Sequence, residues 1–468
     1  MTDLHIIKKQ LVEVIANGVG DSFVLQKDVE DLCKLKLIPR LGLLLDKYGS
    51  ASEVIRIDKI SIEVENISLS EFEDMLIEKV LQGIEEKLRK KISANSTKIN
   101  QQSSSTLNRD IELLIFYLRK GYLPWWSTVK NTLEWQKKLD DLLSPGNHGV
   151  EWTDLRGAFK EPLVRERLVA ELSEKHFWLI VNRISPIDYK TLSADLSLLH
   201  QFIKSKRSQN TFKNQILKSI AEDSETHSLS YTLVGHLRME AEESQLFSAS
   251  PHLLKKIRNK ELQTMLLQLK RNPLSTGRRA DNKKSSHTES DTSEESALIS
   301  KENTLQEEIY IGDSGLTIVA PYLTLFFKNL QLVDSDQIKD IPKALRLLHY
   351  ITYGESDYAG FECVLAKILC GVDLSAVVRK SRISEEEKVL ADELLQAIID
   401  HWQALKRTSV TGLRTSFLQR EGRLSFENNE WKLKVHSESY DLLLSHLPWN
   451  INIIKLPWMN HILKVDWI

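Results

Sequence analysis

L-P-W-N-I-N-I-I-K-L-P-W-M-N-H-I-L-K-V-D-W, residues 447–467, is the stretch whose reading decides how this chain is built. Two Pro-Trp pairs, Pro448-Trp449 and Pro457-Trp458, bracket an apolar run at 451–456. Three of the ten tryptophans of the chain, Trp449, Trp458 and Trp467, lie here. Termini are usually polar and frayed, and a tail this apolar exposes a sticky surface unless it is buried or docked. Proline fixes φ and interrupts helix, so the segment is expected as short extended pieces with a turn at each Pro. One reading is a C-terminal strand that completes a domain core. The other is a partner-docking tail, because Trp is enriched at interface hot spots. That second reading nominates Trp449, Ile451, Ile453, Lys455, Pro457, Trp458, Met459 and Trp467.

Working outward, 424–426 and 431–435 around a turn at 427–430 predict a hairpin, with Trp431, Leu433 and Val435 on one side and Lys432 and Lys434 on the other. A short helix is expected at 440–446. Residues 384–406 read as a helix, with Ser384 and Glu387 as a capping box and basic residues in the last turn. Further helices are expected at 322–330, 343–352 and 361–369, completing a C-terminal domain over 307–468.

Before it, 272–306 is a charged linker whose central run is nearly devoid of apolar groups, so it is expected to be disordered. Residues 111–271 read as a helical middle: a helix at 111–118 ended by Gly121, another over 163–181, and helical patterns at 191–218 and 253–269. This middle also holds the cluster Pro124, Trp125, Trp126. A polar linker occupies 93–110. Residues 1–92 read as an α+β module. It comprises an opening amphipathic helix (Leu4, Ile7, Leu11, Val14, Ile15), helices near 28 and from Pro39, and a hairpin over 55–64. A last helix is opened by Ser70 and Glu73. The fold class is therefore mainly α with small β-hairpins: α+β N- and C-terminal modules joined by a helical, partly disordered middle.

Composition narrows function. The chain has 468 residues and a net charge of −2. Its length suits two or three domains, and its balanced charge gives no pull toward nucleic acid or an anionic membrane. Cys33, Cys363 and Cys370 lack metal-ligand spacing and read as reduced structural thiols. The start lacks the pattern of a signal peptide, and the apolar run at 316–327 is too short to span a bilayer, so a cytoplasmic chain without membrane insertion is expected.

Motifs for chemistry are weak. G-D-S-G at 312–315 has the form of a serine-protease nucleophile loop, but in a helical setting; its alternative is a plain loop before the apolar run at 316. His401 reads as a helix-end group or, less simply, as catalytic. Lys406, Arg407, Thr408, Ser409, Arg414, Gln419 and Arg420 read as a helix end with a solvated loop, or as a basic contact patch. No phosphate-binding or zinc motif occurs, and neither metal nor cofactor is expected.

Three stretches then carry a resemblance. The ending L-P-W-N-I-N-I-I-K-L-P-W-M, the run H-W-Q-A-L-K-R-T-S-V-T-G-L-R-T-S-F-L-Q-R-E-G-R-L at 401–424, and D-S-G-L-T-I-V-A-P-Y-L at 313–323 resemble the C-terminal domain of tape-measure proteins of contractile injection systems, which are phage-tail-like particles. Y-D-L-L-L at 440–444, Gly354 and Cys370-Gly371 fit the same pattern. H-I-I-K-K-Q-L and I-R-I-D-K-I-S-I-E-V are similar to the start of that family, and F-Y-L-R-K-G-Y-L-P-W-W at 116–126 to its middle. The resemblance implies a structural role without an active site: a ruler along the lumen of the inner tube whose length sets where polymerisation stops. It implies inner-tube and baseplate or hub proteins as partners, several copies in the lumen, and assembly in the cytoplasm. Under the docking reading, Trp449→Ala with Trp458→Ala is expected to abolish incorporation while the protein stays folded. The alternatives are an assembly adaptor of the same particle that measures nothing, and a hydrolase using Ser314.

Overall fold

The computed structural model describes residues 22–48, 72–99, 106–144, 152–184, 206–222 and 308–467, apart from 356, 380 and 406. It also describes scattered positions among 5–15, 57–64 and 195–264. The chain divides into two compact units: Met1–Glu112 with Asn147–Val150, and Leu113–Gly146 with Glu151–Ile468.

In the first unit, helix Ser22–Leu32 runs through one π-helical turn, Cys33–Leu37, into helix Ile38–Asp46, with Pro39 in its first turn. The turn has a packing reason. Leu32 and Leu37 both join Ile77 of helix Phe72–Ile99 in one small core. In an α-helix, residues five apart diverge by roughly 140°; the wider i→i+5 turn returns them to one side. Tyr48 donates to Glu85 at 2.8 Å and accepts from Arg89 Nε at 2.8 Å, tying the end of this helical run to the long helix.

Two sequence expectations fare differently here. Residues 12–15 carry no helix, and Val12, Val14 and Ile15 are exposed. A short amphipathic helix is marginal without a surface to bury its face. Of the hairpin expected at 55–64, positions 55, 56, 58 and 59 lie outside the described residues, and 57 and 60–64 carry no strand. Gly49, Ser70 and the linker 272–306 also lie outside them.

The second unit begins at Leu113, inside the first of its helices. Thr106–Lys120 ends at Gly121, whose φ of 80° is a left-handed conformation natural to glycine. Thr132–Leu142 follows, capped by Asn131 Oδ1 accepting from Glu134 N at 2.9 Å. The single helix expected over 163–181 is two, Pro162–Glu171 and Glu174–Ile184. Leu172 is extended, and Ser173 Oγ accepts from His176 N at 3.2 Å, so a serine cap restarts the helix. Helix Lys206–Ala221 occupies part of the pattern read at 191–218. Phe159, Leu168, Phe177, Phe212 and Ile216 are buried among these helices.

Residues 308–467 form a five-stranded sheet against helices. The order is β1 (Ile309–Ile311), β4 (Gly422–Glu427), β5 (Glu430–Val435), β7 (Leu463–Asp466), β6 (Ile453–Ile454). A separate ribbon pairs β2 (Val333–Asp334) with β3 (Gln337–Ile338). β4 and β5 are the expected hairpin, turning at Asn428 and Asn429 with φ of 53° and 64°, as a two-residue hairpin turn requires. β7 runs parallel to β5 and antiparallel to β6. Leu424, Leu433, Val435, Leu463 and Val465 are buried. Arg423, Lys432, Lys434 and Lys464 alternate with them, paired to Glu308, Glu427, Asp466 and Glu430.

Helix Glu385–His401 carries its capping box but stops at Trp402, five residues short of the expected basic end. Trp402 is fully buried on Phe417, and a short 3₁₀ turn at Gln403–Leu405 follows. Helix Leu316–Asn329 starts earlier than expected and runs through Pro321. Proline supplies no N–H for the Thr317 carbonyl and opens the preceding turn. One residue on, the Ile318 carbonyl accepts the Trp449 indole N–H at 3.0 Å.

Candidate functional site

The tryptophan-rich tail is built into the core through both ends of each indole. A buried indole N–H needs an acceptor, and each has one: Trp449 on Ile318 O, Trp458 on Leu369 O at 2.7 Å, and Trp467 on Asp441 Oδ2 at 3.1 Å. Asp441 in turn pairs with Arg420 at 3.0 Å, both buried, and the Arg420 guanidinium lies over the Tyr440 and Trp467 rings. Gly371, φ 67°, lets the Trp458 carbonyl approach so closely that a Cβ would sit 2.1 Å from it.

The residues nominated for docking are therefore sorted by burial. Trp467, Ile451 and Met459 are core, while Trp449 and Trp458 are half-buried with their polar ends engaged. Ile453, 62% exposed, is on the surface together with Lys455 and Pro457. Lys455 Nζ donates to the Met459 and Asn460 carbonyls at 2.6 and 2.8 Å, fixing the turn that Pro457 makes. In the middle motif, Pro124 is buried and Trp125 and Trp126 are half-buried.

The candidates for chemistry are enclosed. Ser314 is fully buried, and its Oγ has no hydrogen-bond partner among the described residues. A nucleophilic serine needs a base within hydrogen-bond reach. A Cβ on Gly422 would lie 2.1 Å from that Oγ, and Gly315 is pressed on the Phe417–Leu418 backbone. Burial pushes the neighbouring Asp313 carboxyl up to about 7. His401 Nδ1 meets the Tyr322 hydroxyl at 3.1 Å on the exposed end of its helix.

The basic patch read at 406–420 does not form. Arg414 is buried, donating to Asp392 at 2.6 Å and to the Ile351 carbonyl at 3.1 Å, and Arg420 is the buried partner of Asp441. Arg407 stays exposed, and Lys406 lies outside the described residues. Cys363 and Cys370 are buried thiols, raised by desolvation. Among the described residues no group of three acidic, His or Cys side chains is placed to hold a metal, and no helix is long and apolar enough to cross a membrane.

A second constellation escaped sequence reasoning altogether. Helices 113–120, Thr132–Leu142 and Pro162–Glu171 meet the segment 358–378 along a charged seam. Glu171 accepts from the Tyr117 hydroxyl and from Val378 N at 3.0 Å. Arg167 lies 3.5 Å from Glu171 and donates to the Leu118 and Ser375 carbonyls. Lys367 Nζ donates to the Leu374 and Ala376 carbonyls, both at 2.8 Å. Glu362 accepts from Thr132 N at 3.1 Å, from its hydroxyl, and from Ala359 N at 2.9 Å.

Tyr117, Trp135 and Phe361 stack edge to face beside these charges. Burial raises the Glu171 and Glu362 carboxyls and lowers the Lys367 ammonium, each offset by the opposite charges and donors around it. The one signal in the sequence is a charge set inside an apolar run, Lys367 in V-L-A-K-I-L. Its carbonyl partners follow within ten residues, but the opposite charge beside it, Glu171, lies about 200 residues away.

Comparison with known proteins gives one family whose sequence pattern matches, over residues 4–467, described as contractile injection system tape measure protein. No curated protein and no solved structure matches the chain.

Proposed function

The chain belongs to the contractile injection system tape measure proteins, and from that premise we propose how its parts divide the work. The 308–467 domain is the anchored end, and the chain before it supplies reach inside the inner tube. The observation that carries this reading is the family match along nearly the whole chain. A ruler needs length rather than an active site: a helix advances ~1.5 Å per residue and an extended chain about 3.3 Å. The region between the end modules thus reaches roughly a few hundred ångströms. Partners under this reading are the inner tube and the baseplate or hub, with several copies sharing the lumen, assembled in the cytoplasm and working without catalysis.

Under this reading the docking candidates are the exposed residues of the tail. Trp449 and Trp458 hold the domain together, so their replacement by Ala damages the fold itself and no longer isolates docking. Ile453, Lys455 and Pro457 are the exposed members, on and beside the edge strand β6. Ile453→Asp is expected to lower incorporation into particles without shifting the melting temperature. Normal incorporation would remove this edge as the anchor.

The ruler itself is tested by electron microscopy of particles carrying deletions within 190–305. Tubes that shorten in proportion to the residues removed support it. Tubes of unchanged length support the assembly-adaptor reading instead.

A further inference from the structure

The charged seam joins stretches of chain that are 207 to 230 residues apart. The residues between them, 185–307, belong to the same compact unit, and of these Lys206–Ala221 packs on the helical side, where Arg165 reaches Asn214 and Arg156 reaches the Ile220 carbonyl. While the seam is closed, the chain between its two sides adds nothing to the reach of that unit. The stakes are large. A compact unit of about 350 residues is roughly 50 Å across, whereas the same length of continuous helix reaches ~500 Å.

The seam is also built to part more readily than the cores on either side. Buried ion pairs fix register well but add little net stability, and polar interfaces within a chain resemble transient ones. Arg167, Glu171, Lys367 and Glu362 are all buried there, two charges of each sign. Each half has buried apolar residues of its own, Leu168, Phe177 and Phe212 on the helical side and Leu365, Trp402 and Leu463 on the other, with Tyr122 of the helical side packed into the second. Gly360 shows how closely the halves fit. A Cβ there would lie 2.2 Å from Glu171 Oε2 and 2.8 Å from the Tyr117 hydroxyl, and the three nearest heavy atoms all belong to the helical half.

We propose that this seam is a latch, closed in the free chain, which opens when the chain is threaded into the tube and so adds the residues between Glu222 and Glu308 to the measured length. The proposal rests on the ruler reading for what the added length is used for; the opening itself is read independently.

The experiment uses the full chain with Thr132→Cys and Glu362→Cys and a short bis-maleimide, in purified protein and in assembled particles. Single-cysteine chains control for Cys33, Cys363 and Cys370. The pair is expected to cross-link in the free chain, with a yield about tenfold lower in particles. Because these substitutions remove seam hydrogen bonds, a second readout leaves the residues intact: exchange of the Val378 amide, which Glu171 holds. It is expected about tenfold faster in particles than in the free chain, and equally fast in free Gly360→Val, whose new side chain wedges the seam. Cross-linking and slow exchange in particles as in the free chain overturn the latch. Tube length separates the two ideas. If deletions within 190–305 shorten tubes whose seams remain cross-linkable, the latch falls and the ruler stands. If they shorten nothing, even with Gly360→Val, the ruler falls while the exchange data still decide the latch.

Discussion

The interior of the 308–467 domain and the seam that joins it to the helices before it bury side chains equally well by opposite means. In the domain, Trp402 and Leu463 lie in an apolar interior, and the Trp402 indole N–H reaches the Leu443 carbonyl. In the seam, Arg167 and Lys367 are fully buried with Glu171 between them. Apolar burial grows with area and is indifferent to small shifts. A charged seam is all or nothing: complete, it holds one register; with one member missing, it leaves an unpaired charge in a dry place. The first arrangement suits a permanent end piece, and the second suits a joint.

The largest test of that contrast is Trp402→Ala. It removes a fully buried ring packed on Phe417 and is expected to cost about 3–5 kcal/mol in urea unfolding of the second unit. A loss under about 1 kcal/mol would mean the domain interior is not the rigid element. Next is Glu171→Leu, which strands Arg167 and Lys367 and is expected to cost about 3 kcal/mol. The double change Glu171→Leu with Lys367→Met should cost less than the sum of the singles by on the order of 1 kcal/mol. Strict additivity would show that the charges do not act together.

Titration offers a subtler comparison within the 308–467 domain. Asp313 is raised by burial to about 7, so its folded form holds a proton that the unfolded chain releases from about 4 upward. Its contribution therefore lowers stability as pH climbs from about 4 to 7, by up to roughly 4 kcal/mol. His349 is lowered by burial to about 4, below its unfolded value near 6.5. Its contribution is lost as pH falls from about 6.5 to 4, so the two slopes oppose. Denaturation midpoints of Asp313→Asn are expected to rise with pH across that window more steeply than those of the unchanged chain. A parallel profile would contradict the assignment. The smallest effect belongs to the outer face of the sheet: Lys464→Ala breaks a half-exposed pair with Glu430 and should cost about 0.5 kcal/mol or less. A cost matching that of Glu171→Leu would erase the distinction between seam and surface.

What the sequence revealed follows the range of the interactions involved. The β4–β5 hairpin, the Ser384 and Glu387 capping box and the stop at Gly121 depend on neighbours within a few residues, and all are present. The tail was legible as a strand because its prolines and alternating apolar groups leave little else, and β7 is that strand. Breaks decided by a single cap, as at Ser173, were masked by continuous periodicity. Helix Leu316–Asn329 was read short because Pro321 ordinarily interrupts helix. Arg414 and Arg420 looked like surface charges because Asp392 and Asp441, which receive them, are 22 and 21 residues away. The seam needs partners ten times further off, and no local pattern encodes that.

The strand order has a kinetic consequence. β6 precedes β7 in the chain but lies outside it, bonded to β7 alone. Until residues 463–466 arrive, Ile453 and Ile454 have no ladder to join, and the β4–β5 hairpin waits with one edge open. Sheet closure is thus a single late event that pairs three strands at once, and loop closure over the residues between β5 and β7 comes before any reward. Refolding of this domain should show its hairpin and helices first and its last two strands together, in one slow phase.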